Sequence, residues 1–271
     1  MRALAATSRP CRRRAARLNA AWVITALLAG CFVCVPQARG SEEPDFSGAW
    51  AEIQVLSEFA RLPLVGEAAR TSTVILRVTI EQTGSSLVLR ETFCATEIDN
   101  GSAIATTSIP SAFLSSLGEL VAEASIDAST LPTRFVQPWT TEVRGARLEN
   151  PDTDSLPTTA SDPRVVDQDG DGKPGLTVRV SALGIFRGDV YVVQRVRTRL
   201  AGAVVSPDRI EGLIEWTTEQ VTLGATNALF LGNLPSRPDP FPEHSFFVLV
   251  RIDPVWTCAD ILAHRDAVFG R

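Results

Sequence analysis

Segment after segment of this chain alternates apolar and polar residues with a period of two, which leaves few options besides an antiparallel β-sheet. Across residues 73–82, Val74, Leu76, Val78 and Ile80 alternate with Ile75, Arg77, Thr79 and Glu81, the pattern of a strand with one face turned to a core. Thr83-Gly84-Ser85 supplies a turn, and residues 86–93 return with Leu87, Leu89 and Phe93 on one face and Arg90 and Thr92 on the other. The pair reads as a hairpin. The same period recurs across residues 48–55, 176–182, 190–200 and 210–223, while residues 245–252 form a nearly continuous apolar strand. Helix signals are sparse: residues 111–117 after Pro110, residues 119–124, and residues 258–269, where Thr257 can cap the first turn and Ile261, Leu262, Ala263 and Val268 offer an apolar stripe. Seven to nine antiparallel strands with a C-terminal helix predict a mostly β fold, either a closed barrel or a two-sheet sandwich. Residues 130–171 are expected to interrupt the strands as a long Asp- and Pro-rich loop.

The first forty residues read as an export signal of bacterial type. Arg12, Arg13, Arg14 and Arg17 precede an apolar run, and no acid occurs before Glu42. Two processing events fit. Ala38-Arg39-Gly40 places small residues where a signal peptidase reads them, whereas Leu28-Ala29-Gly30-Cys31 resembles the lipobox of bacterial lipoproteins, in which Cys31 would be lipidated. The run of residues 20–35 is short for a bilayer span of about 20 residues. The expected location is therefore periplasmic, outer-membrane-anchored or extracellular, with residues 41–271 forming a single β-rich domain.

Seven of the chain's 26 basic residues and none of its 31 acidic residues fall in that leader, so the remainder carries a formal charge of about −12 with a single lysine, Lys173. Such a surface repels phosphate backbones, and nucleic-acid binding is not expected. Of five cysteines, Cys11, Cys31 and Cys34 lie in the leader. That leaves Cys94 and Cys258, expected to form one disulfide in an oxidising compartment, with two buried free thiols as the alternative.

Asp167-Gln168-Asp169-Gly170-Asp171-Gly172 concentrates three carboxylates in a stretch too glycine-rich to bury them. Like charges aimed at one point are costly without a cation, and hard oxygen ligands at this spacing favour calcium. The run is similar to the Asp-x-Asp-x-Asp-Gly core of EF-hand, dockerin and thrombospondin-type calcium loops. That resemblance implies ligation by Asp167, Asp169 and Asp171, a turn at Gly172 and a backbone carbonyl from Lys173. It departs at the twelfth position, where Val178 replaces the bidentate glutamate and a strand replaces the helix. Asp162 within a loop spanning residues 162–175, Asp152 or Asp154 from the preceding acidic loop, or water would complete the shell. A polar turn holding no metal is the alternative.

Asp45-Phe46-Ser47-Gly48-Ala49-Trp50 resembles the Gly-x-Trp opening strand of lipocalin-like barrels. Over these six residues the resemblance implies a small antiparallel barrel that binds a ligand inside. Catalysis finds little support. His244 and His264 sit in neither a Gly-x-Ser-x-Gly nor a His-Glu-x-x-His context, and no Gly-rich phosphate loop follows a strand. Glu215 and Glu219 share a strand face and are the carboxylates a glycosidase would need. Trp139, Trp216, Trp256 and Tyr191 could line a cavity or pack a core, and Arg195, Arg197 and Arg199 are expected to pair with Glu215 and Glu219 across strands. The expectation is a non-enzymatic, calcium-stabilised envelope protein that binds a small apolar ligand or a surface partner. A carbohydrate-active hydrolase and a purely structural protein are the alternatives.

Overall fold

The structure, a computed structural model, describes residues 44–62, 66–233 and 236–270. The export signal and the lipobox Cys31 lie outside the described residues. In chain order the elements are β1 (Gly48–Leu62), β2 (Gly66–Thr83), β3 (Ser86–Asp99), β4 (Ala105–Ser108), α1 (Ser111–Ser116), β5 (Glu119–Asp127), β6 (Arg134–Arg144) and β7 (Leu176–Ala182). They continue with β8 (Phe186–Ser206), β9 (Arg209–Ala225), β10 (Ser236–Pro238), β11 (Phe246–Arg251), α2 (Cys258–Ala263) and α3 (Arg265–Phe269).

Eight strands close into an antiparallel ring in the order β1, β2, β3, β5, β6, β8, β9, β11 and back to β1. Of the two expected architectures, the barrel is the one observed. Closure pairs the edges an open sheet would expose. β7 extends the sheet along β8, β4 pairs with β7, and β10 pairs with the far end of β1.

The alternation read from the sequence sets which side chains enter the barrel. At one end Phe46, Trp50, Val78, Ile80, Leu89, Phe135 and Phe247 fill the interior. Trp50 is fully buried; its Nε1 donates to the Phe46 carbonyl at 2.8 Å. The Arg251 guanidinium lies 4.6 Å from the Trp50 ring centroid and donates to the carbonyls of Ser47 and Asp45 at 2.7 and 2.8 Å. This cation–π and hydrogen-bond clamp ties the entering chain to β11 and closes that end.

A bulge in β3 explains how the C-terminal helices attach. Ile75 pairs with Ala95 and Leu76 with Phe93, so Cys94 is the extra residue. The bulge lets Phe93 point inward while Cys94 and Ala95 both join the apolar cluster on the outer wall. Cys94 is bonded to Cys258 at the start of α2, with Cα atoms 5.0 Å apart. Thr257 and Asp260 form a reciprocal capping box on α2. Ile261 and Phe269 are buried against Ala49, Ala51, Ile53 and Val248, each worth roughly 1.5–3 kcal/mol by area. The expected helix over residues 258–269 is present but breaks at His264 into α2 and α3.

Two expected elements differ. Residues 119–124 form strand β5, not a helix. Their Ala and Glu are good helix formers, but Ala122, Ala124 and Ile126 alternate into the barrel wall while Glu119, Val121 and Glu123 face out, and tertiary burial overrides propensity. Residues 130–171 are not one loop, because β6 occupies Arg134–Arg144. Pro138 masks that strand in the sequence: it lacks a ladder donor, and the structure places it with Trp139 in an irregularity between Gln137 and Thr140.

The remaining loop, residues 145–175, packs Leu148, Leu156 and Val165 against Val193, Val221 and Leu223 on the outer wall. Arg164 Nη1 reaches the Ser155 carbonyl at 2.8 Å, and Arg195 hydrogen-bonds the Asp154 carbonyl. The loop is thus held by its own apolar contacts and by arginines. Gly175 ends it with φ +83°, where a Cβ would stand 2.2 Å from the Val192 carbonyl oxygen. Only glycine permits that approach.

Candidate ligand cavity and aspartate loop

Beyond the filled end, the barrel encloses a partly open cavity of about 660 Å³. Its wall mixes apolar side chains, among them Leu56, Leu76, Phe93, Phe113 and Trp216, with charged and amide side chains that enter on the same inward parity. α1 lays Phe113, Leu114 and Leu117 along one side. A smaller chamber of about 120 Å³, lined largely by Val178, Val180, Val190, Val192 and Phe230, adjoins it and shares Arg70, Ile98, Ile109, Gln194 and Gln220.

Three acids and two arginines line this cavity, and a fourth acid, Glu52, is buried behind its wall on the same inward parity of β1 as Trp50 and Gln54. Glu58 on β1 pairs with Arg70 directly opposite on β2. Glu142 pairs with Arg144 on β6 at 2.5 Å, and the Arg144 guanidinium lies 5.5 Å from the Phe93 ring centroid. Those two pairs cancel formally. Glu52 and Glu91 are left over.

Glu52 is fully buried and Glu91 is 6% exposed. They flank β2 from opposite sides, Glu52 in register with Leu76 and Glu91 with Val78. Gln54 Nε2 donates to Glu52 Oε1 at 2.8 Å, but Glu52 Oε2 and Glu91 Oε1 are buried with no hydrogen-bond partner. Burial pushes the Glu52 carboxyl up to about 7, partly opposed by the Gln54 hydrogen bond. Burial, followed by the neighbouring charges of Glu52 and Glu142, pushes Glu91 well above the usual carboxylate range. Two carboxyls inside a barrel, each with one buried oxygen unmatched, are costly for stability alone.

Of the four aromatic residues singled out in the sequence, Trp216 lines the cavity, its Nε1 donating to Ser245 Oγ at 3.3 Å. Trp139 lies outside under Arg197 and Arg199, Trp256 stacks on His264 beside α2, and Tyr191 faces Lys173. The expected cross-strand row forms at two of its three arginines: Arg195 meets Glu219 at 3.0 Å and Arg199 pairs with Glu215, whereas Arg197 stands opposite Thr217 and reaches Asp152 at 3.8 Å. These glutamates are therefore engaged on the outer wall. Both histidines are exposed. His244 Nδ1 lies 2.9 Å from Asp239 Oδ2, which also accepts from Ser57 Oγ. Because the aspartate sits between serine and histidine, this trio is not arranged to activate the hydroxyl.

Asp167, Asp169 and Asp171 come together as expected, each offering an oxygen within 4.8 Å of the others, so the group could hold a metal ion. The loop is shaped by those carboxylates. Asp167 accepts from the amides of Asp171 and Gly172, Asp171 from the Lys173 amide and Thr177 Oγ1, and Asp169 Oδ2 from the Thr177 amide. Gly172 turns with φ +80°. Asp169 Oδ1 is buried without a partner. Of the other residues considered as ligands, Asp162 holds Arg164 Nε and Nη2 at 3.0 and 2.8 Å. Asp152 accepts from Thr141 Oγ1 and Asp154 from Asn150, and the Lys173 ammonium lies 6.0 Å from the Tyr191 ring centroid.

Comparison with family models, with curated protein sequences and with solved structures returns no match. Among the described residues, no helix is long and apolar enough to cross a membrane.

The sequence did carry a signal for the interior acids. Glu52 falls between Trp50 and Gln54 in the inward register, and Glu91 falls between Leu89 and Phe93 on the face already marked as apolar. An acid interrupting the buried side of an alternating strand is the mark to look for.

Proposed function

We infer that this chain is an exported binding protein whose barrel holds a small molecule in its interior. The observation that carries this reading is the partly open cavity of about 660 Å³ inside a closed ring of strands. That volume lies within the range typical of small-ligand sites, and its wall sets apolar side chains beside polar and charged ones. The Gly-x-Trp opening and the terminal helices on the outer wall are in keeping with a lipocalin-like binding role, and the arginine-rich leader with export. N-phenyl-1-naphthylamine, an uncharged dye that brightens when desolvated, is expected to bind saturably. Ala122→Phe, which fills the cavity from β5, should abolish that signal while the protein stays folded by circular dichroism. A linear, non-saturating dye response in the parent protein would refute the reading.

A second role concerns the aspartate loop, which we read as a calcium site that fastens residues 145–175 to the barrel. The unpartnered Asp169 Oδ1, beside two carboxylates already ordered by backbone amides, favours it. Each carboxylate oxygen that accepts one N–H keeps a lone pair for a cation. With three acids and no bidentate glutamate, the affinity is expected on the order of 10⁻⁵ to 10⁻³ M.

A further inference from the structure

We propose that the cavity takes an organic cation, a primary amine, amidinium or guanidinium joined to an apolar body, with its charged nitrogen at Glu91 and beside Glu52. The proposal rests on the binding role argued above and adds the chemical class of the ligand.

Three observations support it. First, the interior charges do not balance: Glu58 with Arg70 and Glu142 with Arg144 are paired, while Glu52 and Glu91 have no cationic partner among the described residues. Second, the unmatched atoms there are mostly acceptors. Glu52 Oε2 and Glu91 Oε1 lack donors, and Gln137, on the same inward side of β6 as Phe135, has a side-chain oxygen likewise without one; the single unmatched donor beside these three acceptors is Arg144 Nε, whose guanidinium already holds Glu142. An incoming group must therefore bring N–H donors, as ammonium and guanidinium groups do. Third, the acids do not gather as a metal shell. Among the described residues, the only group of three acids, histidines or cysteines with ligand atoms within 4.8 Å of one another is Asp167, Asp169 and Asp171. Glu52, Glu91 and Glu142 do not all come within that distance of one another, which suits a polyatomic cation better than a bare ion.

The remainder of the cavity fits the ligand's other end. Leu76, Phe93, Phe113, Leu117 and Trp216 provide apolar wall in the same cavity as Glu91, and the smaller chamber with its four valines extends the space. An anionic head is disfavoured because both guanidiniums already face carboxylates.

The test compares n-octylammonium, n-octanol and octanoate on the full-length protein by titration calorimetry. Near pH 8, octylammonium is expected to bind roughly tenfold or more tighter than octanol, and octanoate more weakly than either. Glu91→Gln should remove that preference and leave octanol binding unchanged, and a thermal melt confirms that the variant is folded. Glu52→Gln, placed one register step away, should reduce the preference by a smaller factor. The preference in the parent protein should also grow from about pH 5 to pH 8, because the facing ionisable groups are Glu52, Glu58, Glu91 and Glu142 with two arginines, and a primary amine stays charged throughout. Octanol binding as tightly as octylammonium, or a preference that survives Glu91→Gln, overturns the cation assignment and leaves the cavity role standing. Binding of magnesium or calcium chloride at Glu91, displaced by octylammonium, overturns it in favour of a metal. If none of the three octyl compounds binds, both the cavity role and the cation assignment fall.

Discussion

Replacing Glu52 with glutamine should make the barrel more stable at alkaline pH and leave it nearly unchanged in acid. Glu52 is fully buried, and its carboxyl is pushed from 4.5 up to about 7. A raised folded-state value means that the folded protein holds the proton more tightly than the unfolded chain does. The stabilisation from that proton is complete below about pH 4.5 and is lost as pH climbs through about 7. A shift of that size corresponds to roughly 3 kcal/mol at 1.36 kcal/mol per pH unit. Glutamine cannot ionise, keeps nearly the same volume and can still accept from Gln54 Nε2. The stability gap between Glu52→Gln and the parent should therefore open between about pH 5 and pH 8 by roughly 2–3 kcal/mol, or about 5–10 °C in melting temperature for a chain of this size. Urea denaturation of both proteins at several pH values measures the gap directly. A gap that does not change with pH would show that the Glu52 carboxyl titrates as an exposed one does, and the argument from unmatched interior charge would fail.

Calcium is expected to raise the melting temperature, and Asp169→Ala combined with Asp171→Ala should remove that response; identical melting curves in calcium and in excess chelator would discard the calcium reading. Replacing Cys94 and Cys258 together with alanine opens a covalent link across a sequence separation of 164. The loss should approach about 4–5 kcal/mol in the chain-entropy estimate, read as a lower urea midpoint. Arg251→Ala removes the guanidinium over Trp50 and the donors to Ser47 and Asp45. A destabilisation of roughly 2–3 kcal/mol is expected, with exchange of the amides of residues 44–50 rising first.

The architecture was legible because β-strand periodicity is local and the wall of a barrel repeats it. The hairpin of residues 73–93 and the strands at residues 176–182, 190–200 and 210–223 each follow from a few neighbouring letters, and the disulfide follows from there being just two cysteines outside the leader. What escaped had non-local causes. β5 is built from helix-favouring Ala and Glu and becomes a strand because β3 pairs along it. β6 contains Pro138, which argues against a strand until the irregularity that accommodates it is seen. The bulge at Cys94 shifts the inward parity of β3, so strict alternation would place Thr96 and Ile98 outside when both line the cavity. The aspartate loop was legible as a cluster, because its members lie close in sequence and its hydrogen bonds are local. The interior acids were legible singly but not as a pair, because Glu52 and Glu91 are brought to the two sides of β2 only by the pairing of three strands.

The two interior carboxyls oppose the fold that contains them. Leucine at either position would fit the parity of its strand, leave the ladder intact and remove a buried charge, so the sheet gains nothing from an acid there. A ligand that supplies the missing positive charge would reverse this cost, and the size of the reversal should follow the charge state of the acids. Octylammonium should therefore raise the melting temperature little near pH 5, where Glu52 and Glu91 hold protons, and progressively more as pH passes about 7. Octanol, which gains only apolar contact, should give a shift that is flat with pH. If the octylammonium shift is also flat, the carboxyls take no part in binding, and any affinity for amines comes from the apolar wall.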